Sequence, residues 1–165
     1  MPEPVRNNLR AGTIAPQIIN DMRTFICLLF ICSPAFANRA NDVSDIQHLM
    51  TTFHEAVVAH DGSRLETLFI PEGSLWLNVL KSPPTVRVGS YHDFAKFVST
   101  TKSALNPKHS HIRIFTDGTI AAVYFDFVFL IDGKAENKGD ETWTLVKGTD
   151  GWRIAAITYS SEPRL

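Results

Sequence analysis

TIAAVYFDFVFLI, residues 119–131, is a long apolar run whose alternate positions fall into two sets. One set is Ala121, Val123, Phe125, Phe127, Phe129 and Ile131; the other is Ile120, Ala122, Tyr124, Asp126, Val128 and Leu130. Successive side chains of a strand point to opposite faces, so the run reads as a strand with one wholly apolar face and one face that carries an acid. Strands flank it on both sides. His109 to Phe115 precedes it across an Asp117-Gly118 turn, and Gly139 to Lys147 follows a loop that begins at Asp132-Gly133. Trp152 to Ser160 closes the meander across Thr149-Asp150-Gly151.

Upstream of this sheet the pattern is helical. Asn41 or Asp42 is placed to cap a helix whose apolar positions Ile46, Leu49, Met50, Phe53, Val57 and Val58 recur every three to four residues as far as Asp61-Gly62. Ser63 is expected to cap a short second helix, with Glu66 closing a capping box and Pro71 ending it. Ser74 to Leu80 and Thr85 to Val88 then read as a hairpin. Ser90 caps a third helix bearing Phe94, Phe97 and Val98, and Asn106-Pro107 is expected to keep the chain irregular until His109. Helices first and a meander after predict an α+β domain.

The N-terminus has a different character. Arg23, the apolar run Phe25 to Ile31 and the small-residue stretch Ser33-Pro34-Ala35-Phe36-Ala37 have the three parts of a cleavable secretory signal. Met22 is then a plausible start, residues 1–37 are an upstream extension plus signal, and residues 38–165 are one domain. A buried helix is the alternative reading of this segment, which Pro34 disfavours. The run is too short to span a bilayer. Both cysteines, Cys27 and Cys32, lie within it, so the remainder has no thiol for a disulfide, a nucleophile or a zinc site. Of the 16 basic and 17 acidic residues, three and two fall in the first 37, which leaves a balance of −2. That excludes a general nucleic-acid binder, whose affinity needs a dense basic field. A periplasmic or secreted location is expected.

Leu65-Glu66-Thr67-Leu68-Phe69, Pro71-Glu72-Gly73-Ser74, Val88-Gly89-Ser90 opening a helix, and the terminal Asp150-Gly151-Trp152-Arg153-Ile154 occur in an order that resembles the SnoaL-like branch of the NTF2-like superfamily. The resemblance spans about residues 42–160 and implies a cone: a strongly curved mixed sheet wrapped around N-terminal helices, with a pocket between them and a homodimer paired through the outer sheet face. Members of the superfamily include ketosteroid isomerase, scytalone dehydratase, polyketide cyclases, epoxide hydrolases and ring-dioxygenase subunits. That range of activities means that fold alone assigns no reaction.

Candidate site residues come from the sheet. If Asp126 faces the interior, desolvation raises its pKa and suits it to move a proton on an apolar substrate, with Tyr124 beside it as a donor and His111 or Tyr159 assisting. If it faces outward, the Phe parity forms the core and Asp126 bonds a neighbouring strand or a partner subunit; a bulge would exchange the two faces. His109 and His111 share a parity and, with Asp126, imitate a two-histidine, one-carboxylate metal set, but histidines two apart also decorate exposed strand starts, and no metal is expected. His48, His54 and His60, spaced by six on one helix, do not gather. Trp76, Trp143, Tyr159, Phe125 and Phe127 are the expected ligand contacts, because large rings line cavities and indole N–H groups meet ligand oxygens. Trp143 shares its parity with Glu141.

No paired-histidine helix motif, glycine-rich phosphate loop or nucleophile elbow occurs, so no cofactor is expected. The leading expectation is an exported domain that binds a small, mainly apolar molecule. Its alternatives are a cofactor-independent isomerase, dehydratase or hydrolase using Asp126, and an assembly module.

Overall fold

The computed structural model describes residues 34–71 and 73–162, with side chains from Arg39 onward. The apolar centre of the signal reading, Phe25 to Ile31, lies outside these residues, as do Met22, Cys27 and Cys32. Helix α1 spans Pro34–Val58, α2 Gly62–Glu66 and α3 Tyr91–Thr100. The strands are β1 Leu75–Lys81, β2 Pro84–Gly89, β3 Leu105–Thr116, β4 Ile120–Ile131, β5 Lys134–Gly148 and β6 Gly151–Ser161. They form one six-stranded sheet in the order β2-β1-β6-β5-β4-β3, mixed because β1 runs parallel to β6 and all other neighbours are antiparallel. The α+β class and the mixed sheet agree with expectation.

Each helix follows from its residues, with two changes of boundary. α1 is described from Pro34 onward and is already helical at Asn41 and Asp42. It does not start at an Asn41 or Asp42 cap. Asp42 is instead 1% exposed and paired with Lys147 of β5. The stripe Ile46, Leu49, Met50, Phe53 and Val57 is buried against the sheet, and the helix stops where His60 takes a left-handed φ of 59° and donates its Nδ1–H to the Val98 carbonyl at 3.0 Å. α2 is capped by Asp61, whose carboxylate accepts from the Arg64 amide at 2.9 Å, and not by Ser63. Gly62 is needed there because an added Cβ would lie 2.3 Å from the Ala95 carbonyl of α3. α3 is capped by Ser90 as expected, through the His92 amide.

The sheet differs from the sequence reading in two places. β3 begins at Leu105 and runs straight through Pro107, which an edge strand tolerates because one side of its backbone has no ladder to complete. β5 begins at Lys134, not Gly139, because Asp132 (φ 48°) and Gly133 (φ 76°) make a tight two-residue turn and pairing resumes at once between Ile131 and Lys134. The apolar parity of β4 faces the helices. Val123 and Phe125 are fully buried, and with Phe53 and Trp143 they form the centre of the core. Among the described residues no helix is long and apolar enough to cross a membrane.

Candidate functional site

The inner face of the sheet and the covering helices do not fill the space between them. A cavity of about 480 Å³ remains, walled by Phe53 of α1, Phe94 and Phe97 of α3, Phe127 and Phe129 of β4, and Trp76 and Tyr159 of β1 and β6. Ring contacts hold this wall: Trp76 lies 5.0 Å from Phe94 and 6.2 Å from Tyr159, and Tyr159 meets Phe127 edge-on at 5.7 Å. Large rings on a curved sheet cannot all reach its middle, so their faces border the void.

Polar groups enter this apolar wall at a few points. Glu141 of β5 stands directly opposite Tyr159 of β6 in the ladder, and both line the cavity. Burial pushes the Glu141 carboxyl up to about 7, although the Trp143 indole N–H donates to it and works against the rise. Burial also raises the Tyr159 hydroxyl above its ordinary value, with the Trp76 side chain nearby working against the rise. His109 of β3 faces the same space, its ring 4.5 Å from Phe125 and 6.0 Å from Trp143. Burial and the neighbouring His54 push it down to about 4, so it is a neutral imidazole at ordinary pH. His54 donates its Nδ1–H to the Pro107 carbonyl at 2.8 Å, which fixes that neighbour. Asn137, also on the wall, keeps its Oδ1 buried without a partner.

The expected residues divide between two faces. Trp76, Tyr159 and Phe127 line the cavity; Trp143 and Phe125 are fully buried behind it and belong to the core. Asp126 and Tyr124 lie on the outer face. The Asp126 carboxylate accepts a 2.6 Å hydrogen bond from His111 Nδ1, while Tyr124 donates to Asp140 at 3.0 Å beneath the Arg113 guanidinium. His109 and His111 do not share a face as their spacing predicted. A register shift between Ser110 and Arg113, with His111 at φ 52°, turns His111 outward and leaves His109 inward. Among the described residues, no three His, Cys, Asp or Glu side chains gather in a way that would hold a metal.

Glu141 and His109 are among the cavity residues that were not proposed as ligand contacts or acids from sequence. Glu141 carried one signal, its shared parity with Trp143. His109 was weighed only together with His111 and Asp126 as a metal set, because the bulge that separates it from His111 is not written in the residue types.

No protein-family model and no curated protein matches the sequence. Solved structures do match. A Mycobacterium tuberculosis protein of unknown function aligns with a TM-score of 0.62 at 17% identity, over 79% of this chain and 76% of that one. A candidate scytalone dehydratase from Novosphingobium aromaticivorans aligns with a TM-score of 0.63 at 17% identity, over 76% of this chain and 87% of its own. An NTF2-like protein with a cystatin-like fold from the same organism aligns with a TM-score of 0.61 at 14% identity, over 78% of this chain and 86% of its own. At such identities the likeness is one of architecture, and it agrees with the element order and the mixed sheet: this chain has the NTF2-like fold.

Proposed function

We propose that this is a small-molecule-binding domain whose ligand, a mainly apolar compound, sits in the cavity between α3 and the sheet. The observation that carries this reading is the cavity itself. Its volume of about 480 Å³ falls within the roughly 300–1,000 Å³ of small-molecule sites. Its wall is mostly aromatic, and it buries a polar atom, Asn137 Oδ1, that the protein leaves unpaired.

The neutral dye Nile red tests the reading. It is expected to bind saturably with blue-shifted emission, and Gly89→Val should weaken binding several-fold. A Cβ at Gly89 would lie 2.8 Å from Trp76 Cδ1 and push the indole out of the wall. Absence of saturable binding would defeat the proposal.

A second reading is favoured by one observation. A carboxyl protonated up to about pH 7 and an imidazole neutral down to about pH 4 border the same cavity. A carboxyl that titrates near neutral pH is an acid of suitable strength for cofactor-independent proton transfer, and the neutral His109 imidazole offers a hydrogen-bond partner on the same wall. In this form the chemistry belongs to Glu141 and His109, because the Asp126 carboxylate lies on the opposite face of the sheet.

We also propose that the domain works outside the cytosol. Arg23, the Phe25 to Ile31 run and Ala35-Phe36-Ala37 support this. N-terminal sequencing of protein recovered outside the cytosol should begin at Asn38. A first residue of Met1 or Met22 would sink the export reading.

A further inference from the structure

We propose that the cavity has a second opening, between α1 and the edge strand β3, with the His54 side chain as its door. Water and other small polar molecules pass there while an apolar ligand occupies the mouth. This rests on the ligand-binding reading above and goes beyond it, to how the site fills and empties.

Two voids meet at one partition. The cavity reaches solvent at Gly89, Asp93 and Phe97, exposed residues of its wall. A groove of about 350 Å³ opens elsewhere, lined from α1 by Met50, Thr51 and His54 and from β3 by Lys108 and Ile112. Pro107 and His109 line both. One layer of side chains therefore separates the groove from the cavity.

That layer is lightly held. β3 is the edge of the sheet, so the outer side of its backbone has no neighbouring strand, and Pro107 has no N–H to offer one. At this point a hydrogen bond crosses from helix to strand, from His54 Nδ1 to the Pro107 carbonyl at 2.8 Å. His54 lines the groove and not the cavity. It is half-buried on the helix surface, where a rotamer change carries its ring toward solvent without moving the backbone. One hydrogen bond of ordinary net strength favours the closed position by roughly fivefold, so the open one is populated as well. Behind this door the His109 ring leans on Phe125 and Phe53, with centroids 4.5 and 6.5 Å away. Apolar contacts of that kind tolerate a tilt that a directional hydrogen bond resists.

The two openings suit different molecules. Phe94 and Phe97 border the mouth and fit an apolar body. Thr51, Lys108 and the two imidazoles border the groove and fit water. An apolar ligand that enters by the mouth also plugs it, and the water it displaces leaves by the groove.

Stopped-flow kinetics of Nile red with the full chain separate a door from a ligand contact. His54 does not border the cavity, so its removal should change rates and not affinity. His54→Ala should raise the association and dissociation rates together, by about fivefold, with Kd unchanged. His54→Gln keeps a donor for the Pro107 carbonyl and should return both rates to those of the unsubstituted chain. Thr51→Trp, at an exposed helix position in the groove, should plug it and slow both rates by a similar factor, again with Kd unchanged. An exposed substitution of this kind leaves the fold intact, so this arm stands even if His54→Ala does not fold. Rates unmoved by a folded His54→Ala, or by Thr51→Trp, would overturn the door and leave the ligand-binding reading standing. A change in Kd carried by the dissociation rate alone would overturn it too, because it would make His54 a ligand contact. Absence of saturable dye binding by the unsubstituted chain would remove the ligand-binding reading itself, and the door with it.

Discussion

Burial keeps Glu141 protonated up to about pH 7 and His109 neutral down to about pH 4, and these two effects pull stability in opposite directions. An unfolded glutamate ionises near 4.5, so between about 4.5 and 7 the folded chain holds a proton that the unfolded chain has released. Stability therefore falls as the pH rises through that window, by an amount on the order of 3 kcal/mol. An unfolded histidine gains its proton below about 6.5, and the folded one not until about 4, so the His109 contribution rises over that range. The slopes offset each other between about pH 4.5 and 6.5, and only the Glu141 decline remains above. Glu141→Gln should unmask the rise, giving urea midpoints that climb from about pH 4.5 to 6.5 and then level. A profile parallel to that of the unsubstituted chain would show that Glu141 is not held protonated. At the same scale Asp126→Asn should leave dye binding unchanged, since its carboxylate meets His111 on the outer face. A loss of dye binding equal to that from Gly89→Val would contradict the placement.

Among the elements, β5 is where small departures from regularity shape the cavity. Gly139 sits where an added Cβ would lie 1.9 Å from the Ser160 carbonyl of β6, a backbone contact that no rotamer relieves. Gly139→Ala should destabilise the domain by about 2 kcal/mol or more, read from the shift in urea midpoint. A neutral effect would mean that the two strands are farther apart there. The same element shows what was legible beforehand. The two parities of β4 are written in TIAAVYFDFVFLI, but which of them faces inward was left open, because a bulge would exchange them. Ser90 does announce α3, its hydroxyl satisfying an amide at the helix start. The β3 bulge was not legible: a left-handed His111 is a choice of backbone, settled by pairing with β4, in a segment without glycine. Nor was the strand passage through Pro107, which depends on β3 being the sheet edge, a fact of topology. Glu141 showed its parity with Trp143, but its partnership with Tyr159 arises only when β6 docks beside β5.

At the scale of the domain, the helices cover one face of the sheet, and no element among the described residues covers the other. Phe115 (65% exposed) and Ile120 (58% exposed) lie on strands β3 and β4, and Tyr124, Val128 and Leu130 line up on the outward parity of β4. We propose that this face pairs with a second copy, because apolar residues grouped on an open sheet are stabilised by a self-complementary contact. Light scattering should give the mass of a dimer, and Asp126→Asn should weaken the association; a monomer at every accessible concentration would rule the interface out. An assembly role alone does not account for the interior, where about 480 Å³ is left open behind a wall of rings. The most direct measurement is a crystal structure of protein purified with minimal washing, joined to mass spectrometry of whatever the cavity retains. The account predicts an elongated apolar compound between Phe94 and Phe127. An interior closed by repacked side chains, with no room for a few heavy atoms, would contradict it.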